Sequence, residues 1–212
     1  MKKQVLLATI LTSTLIAEIG CSSTGSTKLP APDKLIGSDP TSDYSNWMSD
    51  NLQLLGEHEL KDVVIPGSHD TGMYVVENCT SIATIGANAC NTQTQRGSIL
   101  EQLRSGIRYF DLRPVLYDTV FYTGHFQEVE SHFNLGCNGA ELSGASLSSI
   151  LSQVADFMHS SGDLVILKFS HYYDRDECTF GFDDKQMTKL CKAVTSQLAG
   201  LLYDQPAGSA KK

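Results

Sequence analysis

The sequence has no basic run and no apolar span long enough to cross a membrane as a helix. Its 212 residues carry 16 lysines and arginines against 24 aspartates and glutamates, a net charge of -8. A chain of that sign repels phosphate backbones and offers anionic lipid no polybasic patch, which argues against nucleic-acid binding and electrostatic adsorption to a membrane. The longest apolar run, Val5 to Ile16, is shorter than the roughly 20 residues a spanning helix needs, and a longer span would have to bury Glu18. No two cysteines flank a pair of residues, so the tight spacing of a zinc ligand set is missing. No internal repeat is present. What remains, at 41% hydrophobic and 19% charged residues, is one globular domain with a sizeable core.

The N-terminus has the build of a secretory signal over residues 1–20, with Lys2 and Lys3 ahead of the apolar run and small residues leading to Gly20-Cys21. Gly20-Cys21-Ser22-Ser23 resembles a bacterial lipoprotein signal, although Glu18 stands where that pattern usually has leucine. The resemblance implies a lipidated Cys21 that tethers an exported protein to the cell envelope. Residues 21–45, rich in Ser, Thr, Gly and Pro, read as a flexible tether, 46–204 as the folded domain and 205–212 as a disordered tail. Five cysteines follow Cys21, namely Cys79, Cys90, Cys137, Cys178 and Cys191. In an oxidising compartment Cys79 can pair with Cys90 and Cys178 with Cys191, but spacing leaves the connectivity open and an odd count leaves a thiol over.

The folded region alternates strand and helix. Asp62-Val63-Val64-Ile65 reads as a buried strand stopped by Pro66-Gly67, which places His69 and Asp70 at its C-terminal rim. Ser98 and Glu101 form a capping box for a short helix ended by Gly106. Ile107 to Arg113 is a second strand stopped by Pro114, and Val120 to His125 a third. Leu147, Ile150, Leu151, Val154, Phe157 and Met158 share one stripe of a helix from about Ser146 to Ser160. Leu164 to Phe169 makes a fourth strand, and Met187, Leu190, Cys191, Val194 and Leu198 form the inner face of a last helix. Such alternation predicts an α/β sheet or barrel of parallel strands.

The chemistry gathers at strand ends. Side chains alternate along a strand, so Asp111 and Arg113 share one face while Phe110 and Leu112 take the other. An aspartate and an arginine on a buried face need partners, either each other or an anionic substrate. His69 and His125, two carboxylates and an arginine around one rim suit phosphodiester cleavage. One imidazole removes a proton, a second gives one, and the planar guanidinium grips phosphate oxygens. His171 lies next to this rim, whereas His58, His132 and His159 have no supporting motif. Asp174-Arg175-Asp176 reads as a solvated turn, since Thr179 and Lys185 stand where an EF-hand loop needs glycine and glutamate.

Trp47-Met48, Val64 to Gly72, Gly106 to Arg113 and Gly124-His125, in this order and spacing, resemble the X domain of bacterial phosphatidylinositol-specific phospholipase C over residues 45–175. The resemblance implies a distorted TIM (β/α) barrel that cleaves phosphatidylinositol to diacylglycerol and a cyclic inositol phosphate. It implies His69 as general base, His125 as general acid, Arg113 as phosphate clamp, and Asp70 and Asp111 as supporting carboxylates. Lys168 or Ser170 on the fourth strand would meet substrate, Lys168 being the basic residue the family uses near there. Because Arg113 stands where calcium-dependent relatives carry a carboxylate, the resemblance implies a site without metal or other cofactor.

The chain also departs from that family. Four strands account for about the first half of a barrel, and the later carboxylate that holds the family's base histidine has no counterpart in the sequence. Residues 46–204 therefore read as a partial catalytic domain, completed by a second chain or weakly active. Two other readings stay open: a catalytically silent surface lipoprotein binding inositol lipids, and a metal-dependent glycerophosphodiester phosphodiesterase.

Overall fold

The computed structural model describes residues 5–8, 43–76, 78–79, 92–128 and 139–203. Cys21, most of the tether, the leader beyond the first strand and the tail lie outside the described residues. The site is built on a parallel sheet in which Val5–Ala8 (β1) pairs with Val165–Phe169 (β8), β8 with Tyr109–Leu112 (β4), and β4 with Gly67–Ser68 (β2). Helices Ile99–Arg104 (α3), Leu147–Ser160 (α4) and Asp184–Gln197 (α5) lie between β2 and β4, between β4 and β8, and after β8 in the chain, the α/β arrangement expected of a partial barrel.

Three strand expectations need correction. The first strand is only Gly67–Ser68, after Pro66, because Pro66 O accepts from the amides of Arg108 and Tyr109 and so begins the pairing with β4. Leu60–Asp62 is instead a single 3₁₀ turn, and Val64, outside any strand, is 93% exposed. The second correction concerns Pro114, which opens Pro114–Tyr117 (β5) and so hands the chain to a second sheet. There it lacks only a donor that the first residue of a strand can do without. Third, Val120–Glu128 (β6) is antiparallel to β5 in a hairpin whose turn residues, Asp118 and Thr119, both have positive φ. His125 thus sits within an antiparallel strand, and the fourth parallel strand is Val5–Ala8, drawn from the segment expected to be a leader.

The second sheet runs Thr179–Phe180 (β10), Tyr173–Asp174 (β9), β5, β6, Gly139–Ser146 (β7) and Asn78–Cys79 (β3). The short helices Trp47–Asp50 (α1) and Leu52–Leu55 (α2) precede β2. The capping boxes Ser98–Glu101 and Asp183–Gln186 start α3 and α5, and the Ser146 side chain starts α4. The whole predicted stripe of α4 is buried, against Phe110, Leu112, Val165, Leu167 and Phe169 of the sheet in one core. On α5 only Leu190 and Val194 are buried. Cys191 is exposed and its thiol free, while Cys178 is disulfide-bonded, so those two are not partners. Asp174 is not solvated either: it is 1% exposed, and its Oδ1 accepts from the Asp176 and Glu177 amides.

One glycine decides how the two sheets meet. A Cβ on Gly72 would lie 1.8 Å from Thr123 Oγ1 on β6 and 2.9 Å from Ile150 on α4. The bare backbone lets the turn after β2 press onto β6, with Ala145 N–H donating to Gly72 O at 3.0 Å. This contact sets the β2 rim beside His125.

Candidate active site

Asp70 is the hub. It follows His69 in the turn after β2 with φ 45°, a left-handed conformation that aspartate tolerates better than most residues. Thr71 N–H donates to Asp111 O at 3.0 Å, and the Thr94 hydroxyl to Asp70 O at 3.0 Å, so the turn is tied to β4 and braced from outside. The Asp70 side chain is fully buried, and His125 Nδ1–H donates to its Oδ2 at 2.8 Å. Arg113 Nε lies 2.6 Å from its Oδ1. That contact is an ion pair without hydrogen-bond alignment, since neither atom has a hydrogen-bond partner.

Asp111 forms the second centre. Its Oδ2 lies 3.2 Å from His69 Nδ1 and 3.7 Å from Arg113 Nε, and its Oδ1 lies 3.3 Å from Lys168 Nζ. The Ser170 hydroxyl donates to Oδ1 at 3.0 Å. The register explains this convergence, because Asp111 pairs with Lys168 across β4 and β8 and Ser170 lies two residues on, on the same face. Lys168 and Ser170, the two fourth-strand candidates named from the sequence, thus both contact Asp111. Burial raises the Asp111 pKa, but the hydrogen bonds from His69 and Ser170, with the charges of Lys168 and Arg113, outweigh it and hold the carboxyl well below its ordinary value. For His69 the bond to Asp111 dominates and raises the pKa above the ordinary histidine value, against partial desolvation.

The second nitrogen of His69, Nε2, is 3.4 Å from Asp70 Oδ2 and 3.4 Å from Arg113 Nη2. His69, His125 and Arg113 therefore surround one buried carboxylate, although they come from a parallel rim, an antiparallel strand and the end of β4. Asp111 occupies the position on His69 Nδ1 for which the sequence offered no later carboxylate. Ligand atoms of His69, Asp70 and Asp111 lie within 4.8 Å of one another, the one grouping of that kind among the described residues. The cation standing there is the Arg113 guanidinium. His58 and His159 are exposed and remote from these contacts. No helix among the described residues is long and apolar enough to cross a membrane.

No protein-family model matches the chain. A PI-PLC X domain-containing protein of Dictyostelium discoideum is 36% identical over 84 residues, covering 35% of this chain and 14% of that protein. The 1-phosphatidylinositol phosphodiesterase of Staphylococcus aureus strain Newman is 32% identical over 91 residues, 43% of this chain and 26% of that one. A solved structure of S. aureus phosphatidylinositol-specific phospholipase C aligns at a TM-score of 0.48 and 20% identity, over 73% of this chain and 45% of that one. The chain thus spans less than half the length of each of these proteins. In sequence, parts of the chain are thus similar to PI-PLC X-domain proteins.

Proposed function

We propose that the chain is a phosphodiesterase of the phospholipase C type that acts on phosphatidylinositol or a related lipid. The observation that carries the reading is the junction at Asp70, where one buried carboxylate holds an imidazole at 2.8 Å and a guanidinium at 2.6 Å, with a second imidazole at 3.4 Å. With Nδ1–H given to Asp111, neutral His69 presents a bare Nε2 that takes the proton of the inositol 2-hydroxyl. The freed oxygen attacks phosphorus, and the bond to the glycerol oxygen breaks. His125, held through Nδ1, gives its Nε2 proton to that oxygen, so diacylglycerol and a cyclic phosphate leave in a balanced step. Asp70 and Asp111 are offset by Arg113 and Lys168, so a protonated His125 supplies the extra positive charge that meets the phosphodiester anion.

This reading needs no metal, since Arg113 brings its charge to the place a cation would take. Lipidation at Cys21 would remove Val5–Ala8 with the leader and hold the remaining exported enzyme near its substrate. A second chain completing the barrel would meet the parallel sheet beside β2, the last strand in its order among the described residues. The test is incubation with phosphatidylinositol, with and without chelator. Equal release of a cyclic inositol phosphate is expected in both. Binding without turnover would favour the silent lipoprotein, and loss of turnover in chelator would favour the metal-dependent glycerophosphodiester enzyme.

The pH dependence follows from His69. The base must be unprotonated, so the acid limb of kcat/KM lies above the ordinary histidine value of 6.5. In Asp111→Asn the carboxylate charge that favours the imidazolium is gone, and the His69 pKa falls. A pH–rate profile of that variant should show the acid limb displaced to lower pH and a reduced plateau.

A further inference from the structure

A third imidazole belongs to this site. His171 follows Ser170 at the rim with φ 54°, in the left-handed region. Of the other non-glycine residues there among the described residues, Asp70 is in the site, Asp118 and Thr119 make the β5–β6 turn, and Cys178 lies between β9 and β10. Glycine would hold the His171 backbone at less cost, and backbone strain of this kind concentrates at functional positions. The ring is tied in: His171 Nδ1 lies 3.1 Å from Ser170 Oγ, which lies 3.0 Å from Asp111 Oδ1.

Those two contacts determine the tautomer. An ionised carboxylate only accepts, so the single Ser170 hydroxyl proton goes to Asp111. Ser170 Oγ can then only accept from the ring, and Nδ1 of His171 carries the hydrogen. Desolvation and the nearby charges of Arg113 and Lys168 lower the pKa of this imidazole, against the attraction of Asp111 and Asp70. A neutral ring protonated at Nδ1 leaves Nε2 a bare acceptor on an exposed face. We propose that His171 reads the substrate headgroup, its Nε2 accepting a hydrogen bond from a hydroxyl of the polyol next to the reacting phosphate. The inference rests on the reading above for its substrate class, and it makes His171 a specificity residue separate from the base and the acid.

The test has one arm that needs no turnover. Long-range ¹H–¹⁵N correlation spectra should show His171 protonated at Nδ1, a preference that Ser170→Ala relaxes. Added myo-inositol should shift the His171 Nε2 resonance, and inorganic phosphate alone should not. In His171→Gly, which keeps the left-handed backbone, KM for phosphatidylinositol should rise about 3- to 10-fold, the scale of one neutral hydrogen bond, with a smaller fall in kcat. Wild-type turnover with an unchanged KM in His171→Gly, or an Nε2-protonated ring, overturns the inference and leaves the function standing. No turnover, but an inositol-dependent shift at His171, overturns the function and supports the inference.

Discussion

Asp70→Asn is expected to lower cleavage of phosphatidylinositol by about 10²- to 10⁴-fold, the range of a lost general acid or a lost charge-stabilising group. Asparagine has nearly the shape of aspartate and tolerates φ 45° equally well, so the turn after β2 should persist. What disappears is one negative charge with both oxygens engaged, at 2.8 Å from His125 Nδ1 and 2.6 Å from Arg113 Nε. An amide can keep the bond to Nδ1 through its oxygen, but its NH₂ then faces the guanidinium, donor against donor. The acid loses the partner that holds its ring and Arg113 loses its anchor, so two functions fail with one atom exchanged. Initial rates on lipid dispersions, paired with a thermal melt, separate this from unfolding: the rate should collapse while the melting temperature moves little. His58→Ala, on an exposed turn remote from the site, is the matched control and should retain its rate. A rate within a few-fold of wild type for Asp70→Asn would show that neither contact matters to chemistry.

How much of this site was legible in the sequence depended on which physical signal each residue carried. Asp111 and Arg113 were legible because strand alternation is local, and His69 because a Pro-Gly pair marks a strand's end wherever the pairing begins. The α4 stripe was equally plain, since six apolar residues at helical spacing have one explanation. His125 was placed at the right site for a wrong reason. Alternating side chains look the same in parallel and antiparallel strands, and only the Asp118-Thr119 turn between Tyr117 and Val120 marks a hairpin. Val63 to Ile65 misled because β-branched residues report an extended backbone and not a paired one. Cys191, one position beyond buried Leu190 on α5, turns about 100° away from the core. His171 was legible only as a neighbour of the rim, because its link to Asp111 runs through Ser170 from β8 to β4 and depends on register.

The support beneath the site was the least visible part, and Asp163→Asn is expected to cost about 3–5 kcal/mol of stability, as breaking one half of a buried ion pair does. Arg108 and Asp163 are both fully buried in their side chains, with Nη2 2.8 Å from Oδ2. The arginine also donates to the carbonyls of Leu103, Ile107, Tyr44 and Ser45, and its guanidinium lies 4.8 Å from the centre of the Phe157 ring. The carboxylate accepts from the amides of Met48 and Ser49 and from the Ser49 hydroxyl. This one pair thus joins the start of the domain, the end of α3, the foot of β4 and the loop into β8. Burial pushes the arginine pKa down and Asp163 pushes it back up. Without that charge the guanidinium is left in low dielectric with carbonyl dipoles and the weaker field of Asp43 around it. Against a typical total of about 5–15 kcal/mol, such a loss leaves a small domain near its threshold. Urea unfolding followed by Trp47 fluorescence should show a lower midpoint at unchanged slope. The double variant Arg108→Met, Asp163→Leu should recover part of the loss, because it removes the stranded charge together with its partner. A midpoint for Asp163→Asn within about 0.5 kcal/mol of wild type, the scale of an ordinary surface substitution, would mean that the pair does not hold these four segments together.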